Sequence, residues 1–357
     1  IRIKPDYVEA HFDLGVAYRS LGRYNEAIES FKQAIRIKPD YAEAHFNLGV
    51  AYRSLGRYNE AIESFKQAIR IKPDYAEAHF NLGVAYRSLG RYNEAIESYK
   101  QAIRIKPDYA EAHFNLGVAY RSLGRYNEAI ESYKQAIRIK PDYAEAHLGL
   151  GLAYGILGRY NEAIESFKQA IRIKPDYAEA HLGLGLAYVS LGRYNEAIES
   201  YRQAIRIKPD YAEAHFNLGG AYVSLGRYNE AIESYRQAIR IKPDYAEAHF
   251  NLGVAYRSLG RYNEAIESFK QAIRIKPDYA EAHLGLGLAY VSLGRYNEAI
   301  ESYKQAIRIK PDYAEAHLIL GLAYIITGDK GSALDEYKIL KEIDKELANK
   351  LFNAIYQ

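Results

Sequence analysis

One feature constrains the fold of this chain more than any other: the sequence repeats itself every 34 residues. Residues 76–109 and 110–143 are identical, and residues 42–75 differ from them only at Phe65. Ten copies can be aligned, and they start at Val8, Ala42, Ala76, Ala110, Ala144, Ala178, Ala212, Ala246, Ala280 and Ala314. A fixed period of this length is typical of a solenoid, in which each unit packs mainly on its neighbours.

Each copy predicts two helices. In residues 76–109, apolar side chains recur at helical spacing as far as Leu89, and Gly90 follows as a C-terminal cap. A second helix is expected to start near Asn93 and to end before Pro107, which lacks the N–H that a helix needs. Helices this short are marginal alone in water, so the next copy must bury their apolar stripes.

Two local interactions are predicted for these helices. The spacing of Asp108 and Glu111 resembles a capping box, in which side chains satisfy the free N–H groups of a helix start. On the exposed side, Glu97 and Lys100 have the spacing of an ion pair that contributes a few tenths of a kcal/mol.

The residues that recur in most copies match a known signature. In the third copy they are Leu82, Gly83, Tyr86, Ala95, Tyr99, Ala102 and Pro107. The chain therefore resembles the tetratricopeptide repeat family over residues 8–347. The resemblance implies an all-α fold, a right-handed superhelical solenoid of antiparallel helix pairs whose first helices line a concave groove. The family's first-helix Trp is His here, from His11 to His317, and we expect this to change local packing and not the fold.

The predicted organisation has three parts. Residues 1–7 read as the remnant of a preceding repeat, and residues 8–313 read as nine repeat units. Residues 314–357 read as a tenth, atypical unit with a C-terminal capping helix, in which helix runs on or restarts at Asp344. The apolar side chains expected to cover this end of the array are Leu347, Leu351, Phe352 and Ile355.

The N-terminal end is predicted to be more open. Phe12, Leu14 and Tyr18 of the first helix have only residues 1–7 before them as a packing partner. An open apolar end of a solenoid is a surface that can associate, so we expect end-to-end self-association through this N-terminal face.

Composition excludes several classes of function. A net charge of +3 with 26% charged residues indicates a surface of mixed sign, so a nucleic-acid partner is not expected. The absence of Cys excludes disulfides and thiolate metal sites. No apolar run approaches the roughly 18–20 residues that span a bilayer, and no signal peptide is visible. We therefore expect no membrane association and a cytoplasmic location.

The recurring polar residues predict neither a metal site nor a catalytic site. Equivalent histidines of neighbouring copies should lie about 10 Å apart, whereas zinc ligands lie about 2 Å from the ion. Every candidate Ser, His, Glu or Asp recurs in the copies or lies in the C-terminal tail, so no unique catalytic constellation is present. The glycine spacing of a phosphate-binding loop is missing too. We predict a protein that is not an enzyme and needs no cofactor or metal.

The informative residues are those that differ between copies. They concentrate in the first helices at unit positions 5, 6, 9 and 12, which read Phe-Asn-Val-Arg in some copies and Leu-Gly-Leu-Val in others. Helical spacing puts positions 5, 9 and 12 on one face, with position 6 beside them. Neutral drift after recent duplication is the alternative explanation of this variation. The candidate groove residues are Phe46, Phe80, Phe114, Asn47, Asn81, Asn115, Asn217, Asn251, Arg53, Arg87, Arg121, Leu148, Leu152, Leu182 and Leu186.

The asparagines among them resemble the ladder in the superhelix of O-GlcNAc transferase, where an Asn of successive units holds the backbone of an extended peptide. Here the ladder is interrupted at Asp13, Gly149, Gly183, Gly285 and Ile319. The resemblance implies that Asn81→Ala combined with Asn115→Ala weakens a bound peptide by roughly 1–3 kcal/mol. The neighbouring Arg side chains would favour acidic residues.

Together these observations predict an adaptor that binds an extended peptide or a partner domain in the groove lined by first helices. The alternative is purely architectural: a consensus-like or designed array, or a self-assembling scaffold, with no dedicated ligand.

Overall fold

The computed structural model describes residues 7–356, so the remnant predicted for residues 1–7 lies, except for Tyr7, outside the described part of the chain. Within that part the structure is all-α and contains no strand. The helices are α1 (Val8–Ser20), α2 (Tyr24–Ile37), α3 (Ala42–Ser54), α4 (Tyr58–Ile71), α5 (Ala76–Ser88), α6 (Tyr92–Ile105), α7 (Ala110–Ser122), α8 (Tyr126–Ile139), α9 (Ala144–Ile156), α10 (Tyr160–Ile173), α11 (Ala178–Ser190), α12 (Tyr194–Ile207), α13 (Ala212–Ser224), α14 (Tyr228–Ile241), α15 (Ala246–Ser258), α16 (Tyr262–Ile275), α17 (Ala280–Ser292), α18 (Tyr296–Ile309), α19 (Ala314–Ile326), α20 (Lys330–Ile343) and α21 (Lys345–Tyr356).

The chain divides into two compact units, Ile1–Gly183 and Leu184–Gln357, and each is built in the same way. The first helix of a copy packs on the second helix of that copy, and the second helix packs on the first helix of the next copy. The predicted helix pairs and their nearest-neighbour packing are therefore confirmed.

The helix ends follow the local chemistry of each copy. Gly90 has φ of 73°, a left-handed conformation that favours glycine, and it lies just beyond the C-cap Leu89 of α5. The N–H of Arg91 donates to the carbonyl of Tyr86 at 2.9 Å, which closes the turn. At the other end of the copy, α6 stops at Ile105, ahead of Pro107, as predicted.

The predicted capping box is wrong. The N-cap of α7 is Tyr109, and it makes no side-chain cap hydrogen bond. Asp108 lies one residue too early, and its carbonyl accepts from the N–H of Ala110 at 3.1 Å within the turn that follows Pro107. Backbone groups thus close this turn, so the Asp-x-x-Glu spacing has no capping role. The ion pair of Glu97 with Lys100 is present, with the Lys Nζ 3.2 Å from Oε1.

The core of a copy is one large ring placed against the backbone of the first helix. Tyr99 of α6 is fully buried, and a Cβ added to Gly83 of α5 would lie 2.6 Å from its Cε1. Only a glycine allows the ring to approach so closely. A ring at unit position 24 faces the glycine at position 8 in each of the first nine copies.

The recurring histidine has a structural role. The Nε2 of His79 donates to the carbonyl of Pro73 at 3.0 Å, and the same bond is present in every copy from the second to the tenth at 3.0 to 3.3 Å. It ties the start of a first helix to the turn that ends the preceding copy. Among residues 7–356 there is no group of three or more potential metal ligands of the His, Cys, Asp and Glu types.

The tenth copy ends in a separate helix. Asp344 interrupts the helix, and its Oδ1 accepts from the N–H groups of Glu346 and Leu347 at 2.9 and 3.0 Å, so that α21 restarts there. Leu351 and Ile355 are buried and cover the end of the array as predicted. Phe352 does not, because it is 41% exposed and packs instead on rings of Tyr337 and Tyr356.

The same copy contains a buried His–carboxylate pair that should make its stability depend on pH. The Nδ1 of His317 lies 2.5 Å from Oε2 of Glu336. Burial lowers the pKa of His317, but the hydrogen bond to Glu336, the Pro311 carbonyl and the carboxylate charge together raise it above the ordinary 6.5. A raised folded-state pKa gives stability that is complete below about pH 6.5 and is lost as the pH rises through the folded pKa.

We therefore expect the amides of α19 and α20, which the pair joins, to exchange faster as the pH rises from about 6 to about 9, after correction for intrinsic exchange rates. His317→Gln should remove that dependence. His283 occupies the same unit position, but burial lowers its pKa, so its protonation at low pH destabilises the fold. His283→Gln should therefore remove a loss of stability that occurs as the pH falls, the opposite of the effect of His317→Gln. Equal pH dependence in the parent chain and in His317→Gln would contradict this assignment.

Candidate functional site

The variable positions of the first helices form one partly exposed face, called here the first-helix face: unit positions 5, 6, 9 and 12. In α5 these are Phe80, Asn81, Val84 and Arg87. Phe80, Val84 and Arg87 are half-buried, whereas Asn81 is buried. In α5 the predicted positions therefore form one partly exposed face of a helix that packs on α6.

The aromatic positions of this face are half-exposed rings packed on other rings. The ring of Phe80 lies 5.8 Å from that of Tyr99 in the core and 5.0 Å from that of Tyr109, which ends the copy. Lys106 lies over Tyr109, with its Nζ 5.0 Å from the ring centroid. This packing already orders the ring, so the ring loses little further conformational entropy when a ligand binds. The same contacts recur at Phe46 and Phe114.

The leucine copies offer a different surface. Leu148, Leu152 and Leu182 of unit Ile1–Gly183 are half-buried aliphatic side chains. In unit Leu184–Gln357, Leu186 is 42% exposed. The face thus changes from aromatic and basic to aliphatic along the first unit.

The asparagines are bonded within the chain, which sequence reasoning did not foresee. The Oδ1 of Asn115 accepts from Nη1 of Arg87 at 3.0 Å, and its Nδ2 donates to the carbonyl of Glu111 at 2.8 Å. Arg53 likewise donates to Asn81. The Arg at position 12 of one copy therefore pairs with the Asn at position 6 of the next copy. The sequence contained a sign of this pairing. Whenever position 6 is Asn47, Asn81 or Asn115, position 12 of the copy before it is an Arg, namely Arg19, Arg53 and Arg87.

The remaining predicted residues lack such a pair. Asn217 and Asn251 lie in copies whose preceding copy has Val189 or Val223 at position 12, and within residues 7–356 neither amide oxygen accepts a hydrogen bond from an arginine. For Arg121, position 6 of the next copy is Gly149. The Arg121 side chain has no hydrogen-bond or ion-pair partner in the described part of the chain.

Some buried tyrosine hydroxyl groups lack a partner, and they were not predicted from the sequence. The hydroxyls of Tyr99, Tyr133 and Tyr201 are shielded from solvent and have no hydrogen-bond partner among the described residues. Burial raises the pKa of Tyr133 to about 12, against a smaller lowering by Arg121 and Arg87. The hydroxyl therefore stays protonated at neutral pH and remains a donor.

A regular array of helix pairs with a variable, partly apolar first-helix face defines a helical-repeat scaffold. The sequence model of the family described as TPR repeat matches nine overlapping segments: residues 17–53, 49–87, 83–121, 117–155, 156–192, 185–226, 219–257, 254–294 and 287–328. The chain therefore belongs to the tetratricopeptide repeat family, whose members serve as protein-interaction scaffolds. No curated protein sequence matches the chain significantly.

Two solved structures share the fold, and a third is similar in sequence. A tetratricopeptide repeat protein from Parabacteroides merdae covers 70% of this chain and 98% of its own length, with 22% identity and a TM-score of 0.53. The APC/C hetero-tetramer Cut9–Hcn1 covers 98% and 96%, with 15% identity and a TM-score of 0.50. MamA is 34% identical over 46% of this chain and 97% of its own, with a TM-score of 0.45. None of the helices in residues 7–356 is both long and apolar enough to cross a membrane.

Proposed function

We propose that the first-helix face of unit Ile1–Gly183 binds an extended peptide of a partner protein, and that the chain works as an adaptor and not as an enzyme. The observation that carries the proposal is the row of half-exposed rings at Phe46, Phe80 and Phe114, each held by two neighbouring rings. Regularly spaced, pre-ordered aromatic side chains provide apolar contact at low entropic cost, and aromatic anchors dominate binding energy in many interfaces.

The asparagines contribute less to this proposal than the sequence implied. Asn47 and Asn81 are buried, whereas Asn115 is half-buried and more open to a ligand. Each side chain retains a second N–H and a second lone pair after its internal bonds. A loss of affinity in Asn81→Ala with Asn115→Ala would also follow from the release of Arg53 and Arg87. The Asn ladder therefore stays a prediction that needs a separate control.

The proposal is tested with dodecapeptides selected from a display library on the intact chain and then labelled with fluorescein. Phe80→Ala combined with Phe114→Ala should weaken their binding about tenfold or more in fluorescence anisotropy, because two anchors are removed. Glu63→Ala combined with Glu97→Ala, at exposed positions of second helices, is the matched control and should leave affinity unchanged. Circular dichroism would show that the helices are intact in both variants.

The opposite results are equally clear. If the Phe variant binds the selected peptides as tightly as the parent chain does, the first-helix face is not the site. If no peptide is selected at all, the near-identity of the copies is better explained by the architectural alternative.

Self-association through the N-terminal face stays a prediction. Ala17 of α1 is exposed, whereas the equivalent Ala51 of α3 is fully buried, and Leu14 and Tyr18 are only half-buried. Residues 1–6 lie outside the described part of the chain. Whether this face is open depends on what packs on α1.

A further inference from the structure

Two arginines of the first-helix face differ from the others because the amide that would hold them is missing. Arg87 donates to Asn115 of the next copy at 3.0 Å. Where Arg87 has Asn115 at position 6 of the next copy, Arg121 has Gly149 and Arg257 has Gly285. Within residues 7–356 neither side chain has a hydrogen-bond or ion-pair partner, although both are half-buried.

The environment of Arg257 makes the missing partner costly. Its Nε is shielded from solvent and has no hydrogen-bond partner in the described residues. A shielded donor without an acceptor is unfavourable, and it is more so when the group is charged. A ligand that supplied an acceptor would recover that loss on binding.

We propose that Arg121 and Arg257 are specificity-determining residues of the first-helix face, and that each binds the carboxylate of a Glu or Asp side chain in a peptide held on the face of its own unit, Ile1–Gly183 for Arg121 and Leu184–Gln357 for Arg257. This inference rests on the proposed function and adds the chemistry that the face selects. A carboxylate oxygen takes the place of the Asn Oδ1 that receives the guanidinium elsewhere in the array.

The surroundings favour a carboxylate on a peptide over other acceptors. A guanidinium presents a planar fork of N–H groups that matches the two oxygens of a carboxylate. Downstream of Arg121 the face is aliphatic, with Leu148 and Leu152 half-buried, and Leu284 and Leu288 hold the same positions after Arg257. The preferred segment therefore places an acidic residue beside apolar residues.

The chain itself supplies the design of the decisive variants. Gly149→Asn would recreate beside Arg121 the pairing of Arg87 with Asn115, and Gly285→Asn would recreate beside Arg257 the pairing of Arg53 with Asn81. A Cβ at Gly149 would lie 2.8 Å from Cζ of Tyr133, so the ring must shift slightly. One copy earlier, a Tyr at position 24 (Tyr99) already precedes an Asn at position 6 (Asn115). The fold therefore accepts the combination that Gly149→Asn would create with Tyr133.

The test uses the fluorescein-labelled dodecapeptides selected on the intact chain, each paired with a version in which Glu and Asp are replaced by Gln and Asn. With the parent chain, we expect the selected peptides to contain an acidic residue, and its replacement to weaken binding about tenfold. In the double variant Gly149→Asn with Gly285→Asn, acidic and neutral peptides should bind alike. Arg121→Gln with Arg257→Gln should give the same loss of preference.

The outcomes separate this inference from the proposed function. If neutral peptides bind the parent chain as tightly as acidic ones, or if the Gly variants keep the preference, the carboxylate assignment is overturned while peptide binding stands. If no dodecapeptide binds, both fall together. Circular dichroism and the thermal midpoint of each variant show whether a change in binding reflects a change in fold.

Discussion

Replacing Gly83 by Ala is expected to destabilise the third copy by about 1–3 kcal/mol, the range typical of an overpacked core. The added Cβ would lie 2.6 Å from Cε1 and 2.8 Å from Cδ1 of Tyr99, which is fully buried. The ring has little room to retreat. Position 6 of the next copy lies against its far side, and there the chain carries Asn115 rather than a glycine.

Gly155→Ala is the matched control, because Gly155 also lies in a first helix. A Cβ at Gly155 would meet no atom within 4 Å. Since Ala forms helix better than Gly does, this variant should be unchanged or more stable by up to about 1 kcal/mol. Urea unfolding followed by circular dichroism gives the global effect, and hydrogen exchange of α5 and α6 gives the local effect.

Because a repeat array unfolds through nearest-neighbour terms, Gly83→Ala should also make the transition less cooperative, as weakened contacts in the third copy separate the copies on either side. A Gly83→Ala chain with the stability and cooperativity of the parent would show that the ring can be displaced freely, contrary to the packing described above.

Leu351→Ala is expected to cost about 2–5 kcal/mol, the usual range for a fully buried leucine. In the first nine copies a ring at position 24 covers the glycine at position 8, but in the tenth copy Leu351 of α21 covers Gly321. Leu351 is fully buried, whereas the next residue, Phe352, is 41% exposed. Removing Leu351 therefore opens a cavity against the backbone of α19.

The adjacent substitution Phe352→Ala should cost less than about 1 kcal/mol, because it removes mainly exposed contacts with Tyr337 and Tyr356. Hydrogen exchange of α19 to α21 distinguishes the two, since only Leu351→Ala should release the capping helix. If both variants lose the same stability, the two side chains share the capping role equally and the burial difference has no energetic meaning.

The repeat, the helix pairs and most helix ends are predictable from the sequence alone. These features depend on short-range chemistry that every copy carries: Gly90 allows a left-handed turn, Pro107 stops a helix, and the apolar spacing marks one face. The same spacing located the first-helix face, including its half-exposed rings. Local rules suffice for these features because the interacting groups lie within about one helical turn of each other.

The partners of the residues on that face depend instead on how the helices pack. The pairing of Arg87 with Asn115 joins residues 28 positions apart, and it arises from the packing of one copy on the next. Packing of the last helix likewise leaves Phe352 exposed while Leu351 is buried. A helical period gives the face on which a side chain lies, but not which neighbouring copy supplies its partner. That partner is fixed by the relative position of packed helices, which no single copy encodes.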